Sequence, residues 1–181
     1  RNPRDYTSIA VTTDDSNDEI VYASSMGDGV IQYKNGTPVQ SYNEKNAFKE
    51  TAGGYGSGYC YIDGLAFDKN GNLWMTSSEV NHAVLVLDKA GAWHRLDIEQ
   101  LRGVYTINDI LITSTNDKWI YVPRNTPKLV MIPNSESLDE VSSYEFTTLI
   151  DTDGKELTPS NYTCVAEDKD GYIWVGTNRG A

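Results

Sequence analysis

The chain of 181 residues is long enough for one domain with a sizeable core. It carries 26 acidic against 15 basic side chains and a formal charge of -11, a balance that suits neither nucleic acid nor an anionic bilayer, since both reward clustered Lys and Arg. No apolar run reaches the length of a membrane-spanning helix, no secretory or lipidation motif is visible, and the acidic surface reads first as a source of solubility.

Residues 8–11 (Ser-Ile-Ala-Val) read as a first short strand. Residues 13–23 supply an acidic turn and a second strand, 29–33 a third, and 38–42 a fourth, more polar one. A Gly-rich stretch over 49–60 connects this unit to the next. It does not run from a strand into a helix, as a phosphate cradle must, so it reads as an inter-blade loop. The cycle then restarts with a strand over 64–67, the turn Asp68-Lys-Asn-Gly71-Asn leading into Leu73-Trp74, and strands over 83–87 and 93–96. Residues 98–101 offer at most one turn of helix. A third cycle covers 109–112, 113–122, 128–132 and 144–148. A fourth begins at 164–167 and continues through Asp168-Lys-Asp-Gly171-Tyr into Ile173-Trp174.

Asn70-Gly71 and Asp170-Gly171 between apolar runs are strong hairpin signals. Superposing the cycles on Ile20, Leu73, Trp119 and Ile173 gives a repeat of about 50 residues, the size of a propeller blade rather than of a helical solenoid unit. The expected fold is therefore all-β: a β-propeller of four-stranded antiparallel blades, with about three and a half blades of a larger propeller in this chain. The blades fall roughly at 6–48, 61–98, 105–149 and, incomplete, 162–181. The chain opens at Arg1 and stops after a blade's second strand, which reads as a portion of a longer protein.

The string Val165-Ala-Glu167-Asp168-Lys-Asp170-Gly171-Tyr-Ile173-Trp174-Val-Gly176-Thr177 closely resembles the repeat of two-component regulator propellers, and residues 64–77 resemble it almost as well. The opening Asn2-Pro3-Arg4, the run Gly64-Leu-Ala-Phe67, and Lys118-Trp119 leading to Pro123-Arg124 are in addition similar to the propeller region of PorZ-type surface proteins of type IX secretion in Bacteroidota. Two departures stand out: Val21 where a blade Trp is usual, and Pro123-Arg124 where Gly-Thr is usual. The resemblance implies an exported, non-enzymatic propeller that helps attach cargo at the cell surface, in contact with lipopolysaccharide, glycan or protein partners. Its location would be the periplasm or outer-membrane surface of a Gram-negative bacterium. The same repeat also occurs in periplasmic sensor halves of hybrid histidine kinases, which implies recognition of polysaccharide fragments as the alternative; a propeller lyase or hydrolase is a third.

In a propeller, ligands meet the loops that lead into the innermost strands and the loops between second and third strands. The first group contains Tyr61, Asp63, Tyr105, Asn108, Asp109 and Tyr162; the second contains Asp28, Glu79, Asn81, His82, Arg124 and Arg179. Tyrosines beside acids and amides suit sugars, because a ring packs on a pyranose face while the polar groups bind hydroxyls. Many of the 12 tyrosines must also be ordinary strand residues. The acids of Asp68/Asn70 and Asp168/Asp170 read as turn residues accepting their own backbone amides. An EF-hand reading of Asp68 to Glu79 fails, because its sixth position must be Gly and is Leu73. His82 and His94 lack the company a metal site needs, and no catalytic constellation or cofactor motif stands out. Cys60 and Cys164 read as two unpaired, mostly buried thiols.

Overall fold

The computed structural model describes residues 5–48 and 58–180; the Asn2-Pro3-Arg4 opening and most of the Gly-rich loop lie outside them. The first blade is β1 (Tyr6–Thr13), β2 (Glu19–Gly27), β3 (Gly29–Lys34) and β4 (Thr37–Tyr42). The second is β5 (Cys60–Phe67), β6 (Leu73–Ser77), β7 (Val84–Leu87) and β8 (Trp93–Leu96), followed by a 3-10 turn at Glu99–Leu101. The third is β9 (Ile110–Ile112), β10 (Lys118–Val122), β11 (Lys128–Ile132) and β12 (Tyr144–Phe146). A hairpin of β13 (Leu149–Ile150) and β14 (Glu156–Leu157) follows, and β15 (Tyr162–Glu167) with β16 (Ile173–Thr177) starts a fourth unit. Sequential strands within each blade pair antiparallel, and β2 also pairs with β5 through Met26 and Tyr61, joining the first two blades into one sheet.

One turn recurs and sets the register. At Asp14, Asp68, Asp88, Asp151 and Asp168 the side chain accepts the backbone N–H of the residue four places on, and Thr113 does so through its hydroxyl. In each case the fourth residue of the turn has a left-handed backbone, and it is Gly or Asn: Asn17, Gly71, Gly91, Asn116, Gly154 and Gly171. Those are the residue types that tolerate such a φ. The acids are thus turn residues, as their spacing suggested. Counting from these turns corrects the superposition of the cycles: Trp74, Trp119 and Trp174 are equivalent, with Ile20 in the first blade, whereas Leu73 and Ile173 match Glu19 and Lys118. The first blade therefore departs from the repeat's Trp at Ile20, not Val21. An apolar residue next to an aromatic one allowed a slip of one position, and only the hydrogen-bonded turns remove it.

The core is a set of layers between blades. Leu73 and Met75 of β6 and Leu85 and Leu87 of β7 join a layer with Tyr22, Val30, Cys60 and Ile62. The alternate residues Trp74, Val84 and Val86 join the next, with Ile107, Ile110, Ile120, Val130 and Ile132. A third layer holds Tyr121, Leu129 and Tyr162, flanked by Trp119 and Phe146. Strands β6 and β7 are buried at every position, which is why they read as unbroken apolar runs rather than as alternating ones. Trp74 is 1% exposed, donates its indole N–H to Asp68 Oδ2 at 2.9 Å, and has Lys118 Nζ 4.5 Å from its ring centroid. Trp174 makes the same bond to Asp168 at 2.8 Å yet is 55% exposed.

The two cysteines are not joined in a disulfide, and of the two only Cys60 is buried. Cys164 stands at an irregularity of β15 opposite Gly176, and its thiol fills the space that a side chain at that glycine would need, a Cβ there lying 2.5 Å from Sγ.

Candidate functional site

The starts of the inner strands and the loops that follow the second strands meet at one end of the blades, because backbone bonds tie them together. Ser78 N–H donates to the Tyr61 carbonyl, Glu79 N–H to Val104, Tyr162 N–H to Pro123 and Asn178 N–H to Asn161. Side-chain hydroxyls repeat the device one level deeper. Thr76 Oγ1 donates to the Asn108 carbonyl at 3.0 Å and Tyr121 OH to the Thr163 carbonyl at 3.1 Å, equivalent positions in successive blades. These bonds fix neighbouring inner strands against each other and define a mouth.

The strand pattern Tyr59-Cys-Tyr61-Ile-Asp63 turns alternate side chains to one side, and the register of β5 shifts between Ile62 and Leu65, a bulge that re-aims Asp63. Asp63 Oδ2 accepts the Ser78 hydroxyl at 2.7 Å, while Ser78 Oγ accepts the Ile107 N–H at 2.9 Å, so one buried serine links Asp63 to the third blade. Burial pushes the Asp63 carboxyl up to about 7, against the Ser78 hydrogen bond and with help from the charge of Asp109. Inner strands β5 and β9 are very close here: a Cβ on Gly64 would lie 2.7 Å from Ile110 N and 2.8 Å from Asp109 Oδ1. Asp109, immediately before β9, is exposed, yet enough protein surrounds its carboxyl for desolvation to raise its pKa, with the Ile110 N–H opposing. The phenols of Tyr59 and Tyr61 are also raised, first by burial and then by nearby acids; their rings meet edge to face, centroids 6.4 Å apart.

Glu79 completes the cluster. Its backbone is left-handed at φ 63°, it is 7% exposed, and neither carboxylate oxygen has a hydrogen-bond partner among the described residues. Its charge acts on both Tyr59 and Tyr61.

Of the residues expected at the loops, the structure gathers Tyr61, Asp63, Glu79, Asn108 and Asp109, with Arg124 exposed but close enough to Tyr61 to act on its phenol. Asn108 Nδ2 donates to Tyr121 OH at 3.1 Å. Asp28 belongs to the same end, bridged to Cys60. His82 and Asn81 are exposed, and His82 bears on Asp97, away from the mouth. Tyr105 is 56% exposed. Arg179 is exposed in the tight turn closed by Thr177 and Gly180. Tyr162 is corrected: it is fully buried in the third core layer, because its strand position faces the preceding blade, so it packs rather than binds. Tyr59 and Ser78 were missed. The two-residue alternation with Tyr61 would have revealed Tyr59, whereas nothing in the sequence marks Ser78 out.

The geometry defines a β-propeller fold whose blades bring carboxylates and tyrosines together at one end. The family profile described as "Two component regulator propeller" matches residues 156–179. In fold, the chain is similar over 95% of its length to PorZ, a surface component of the type-IX secretion system of Porphyromonas gingivalis, with a TM-score of 0.79 and 20% identity. It is similar over 96% of its length to the extracellular domain of a hybrid two component system from B. thetaiotaomicron, with a TM-score of 0.60 and 18% identity. The chain spans 24% and 20% of those two proteins. Virginiamycin B lyase from Staphylococcus aureus gives a TM-score of 0.49 at 12% identity, across 98% of this chain and 68% of that one. No curated protein matches by sequence. No helix among the described residues is long and apolar enough to cross a membrane.

Proposed function

We propose that this chain contributes a non-catalytic binding and assembly surface to an exported β-propeller protein of PorZ type, acting at the periplasm or outer-membrane surface in type IX secretion and in the attachment of cargo. The observation that carries this reading is the mouth itself. Tyr59, Tyr61, Asp63 and Asp109 present aromatic faces and acceptors suited to a glycan or a protein partner, on a fold shared over 95% of the chain with a secretion surface protein. The test is binding of the chain to purified lipopolysaccharides and to polysaccharide fragments, with Tyr61→Ala and Asp109→Asn variants. Lipopolysaccharide binding lost in both variants is the expected result; lipopolysaccharide binding unaffected by either would refute the mouth as its site.

The match of the regulator-propeller profile favours a second reading, a ligand-sensing propeller of a hybrid two-component kinase. Selective binding of a free oligosaccharide, with no affinity for lipopolysaccharide, would favour it.

A further inference from the structure

The first blade lacks the tryptophan that the others share. Trp74 and Trp174 donate their indole N–H to Oδ2 of Asp68 and Asp168, at 2.9 and 2.8 Å. The first blade has Ile20 in that position, and Oδ2 of its own turn aspartate, Asp14, accepts Lys34 Nζ at 2.7 Å instead. Between the second and third blades the turn end is filled. Trp74 is 1% exposed there, Lys118 Nζ lies 4.5 Å from its ring centroid, and Asn116 Oδ1 accepts the Lys69 N–H at 2.9 Å. One interface earlier the counterparts of Trp74, Lys118 and Asn116 are Ile20, Leu73 and Gly71, which are smaller, shorter and without a side chain. A cleft of about 550 Å³ opens there between the first two blades, at the opposite end from the mouth. Its lining joins Ile20, Tyr22, Leu73 and Leu87 to the half-buried rings of Phe67 and Tyr42.

We infer that this cleft receives the tryptophan side chain of a partner protein. The site lies away from the mouth and is independent of its role. The fold itself supplies the template, since an indole occupies the matching place in the second blade, with a carboxylate oxygen at its N–H and an ammonium over its ring. Asp14 and Lys34 line the cleft as the same two groups. Lys34 is already balanced by two carboxylates, Asp14 at 2.7 Å and Asp18 at 2.8 Å, so its ammonium calls for an aromatic face rather than an anion. Tyr22 and Phe67 meet edge to face, centroids 5.9 Å apart, and a third ring can join them in the same manner. An apolar lining with a few polar groups, in a volume of this size, is what a buried aromatic anchor needs.

The experiment is an NMR titration of the 181-residue chain, followed through the backbone amides of Asp14, Ile20, Leu73 and Lys89. The probe is acetyl-Gly-Trp-Gly-amide, with acetyl-Gly-Leu-Gly-amide and methyl β-glucopyranoside as controls. Saturable shifts at those amides are expected with the tryptophan peptide, and binding weaker by a factor of about ten with the leucine peptide. The glucoside should leave them unmoved. Ile20→Trp restores the indole that the other blades carry, fills the cleft, and should abolish binding of the peptide. Gly71→Asn is a second variant should Ile20→Trp fail to fold. It places an asparagine at the rim, the residue type that Asn116 contributes in the same left-handed turn position, and a Cβ there meets only the Lys89 side chain, at 3.5 Å. It should weaken the peptide. No saturable shift with the tryptophan peptide, equal affinity for the leucine peptide or the glucoside, or full affinity in the folded variants would overturn the inference.

Discussion

Two tryptophans in equivalent positions, with the same hydrogen bond, test the claim that blade-to-blade packing stabilises this fold. Trp74 and Trp174 each sit in the second strand of a blade and donate to the aspartate that opens the preceding turn. The same bond is lost in Trp74→Ala and Trp174→Ala, but it is buried at Trp74 and exposed at Trp174, so its loss adds to the cost at Trp74 in the same direction as packing. What differs is coverage: Trp74 is 1% exposed and Trp174 is 55% exposed. A buried tryptophan removes about 200 Å² from water. At about 25 cal/mol per Å² that is roughly 5 kcal/mol for Trp74, near the top of the usual range for a tryptophan deleted from a core. Less than half of Trp174 is covered, so its loss should cost roughly 2 kcal/mol by the same reckoning. Lys118 over the Trp74 ring widens the gap by about 1 kcal/mol. Urea unfolding of both variants, followed by far-ultraviolet circular dichroism rather than tryptophan emission, measures the difference through the midpoint at constant slope. If the two variants lost equal stability, packing between blades would not be the dominant contribution and the layered account of the core would be wrong.

Gly29 and Gly36 both have positive φ, at 80° and 76°, but a Cβ on Gly29 would lie 2.1 Å from the Tyr42 carbonyl oxygen while one on Gly36 meets nothing within 4 Å. Gly36→Ala should therefore cost about 1 kcal/mol in thermal unfolding, and Gly29→Ala several times that. The Asp63 carboxyl stands at about 7 in the folded chain, above its ordinary 3.8. The folded state then binds more protons than the unfolded state between those values, so this group's contribution to stability falls as pH rises from about 4 to about 7 and stays low above. Asp63→Asn should accordingly gain stability relative to the parent at pH 8 compared with pH 5; a constant difference across that range would contradict the burial of the carboxyl. Cys164 should react with a thiol reagent in the native chain and Cys60 only on unfolding, since the first is exposed and the second buried. Peptide mapping of the labelled protein distinguishes them.

Much of this architecture is written in local sequence. The Asp-to-Gly or Asp-to-Asn turns need a carboxylate at one position and a left-handed residue three places on, and both requirements are visible in the letters around Asp68 and Asp168. The hairpin β13–β14 closes on such a turn too, Asp151 to Gly154, so the same local signal stands in its sequence. The unbroken apolar run Leu73-Trp74-Met75 is that of a strand covered on both faces, and the tyrosines and acids near the inner strands marked the end of the blades where a site would form. What only the tertiary structure decided was which of these neighbours meet across blades. Tyr162 and Tyr61 look alike as residues leading into inner strands, yet one is sealed in a core layer and the other borders the mouth. Glu79 stands among the loop candidates in the sequence, but only the packing shows that both its oxygens are closed off. Turns and strand periodicity arise from interactions within a few residues, whereas burial and charge at the mouth depend on contacts between blades about 50 residues apart, and no local pattern encodes those.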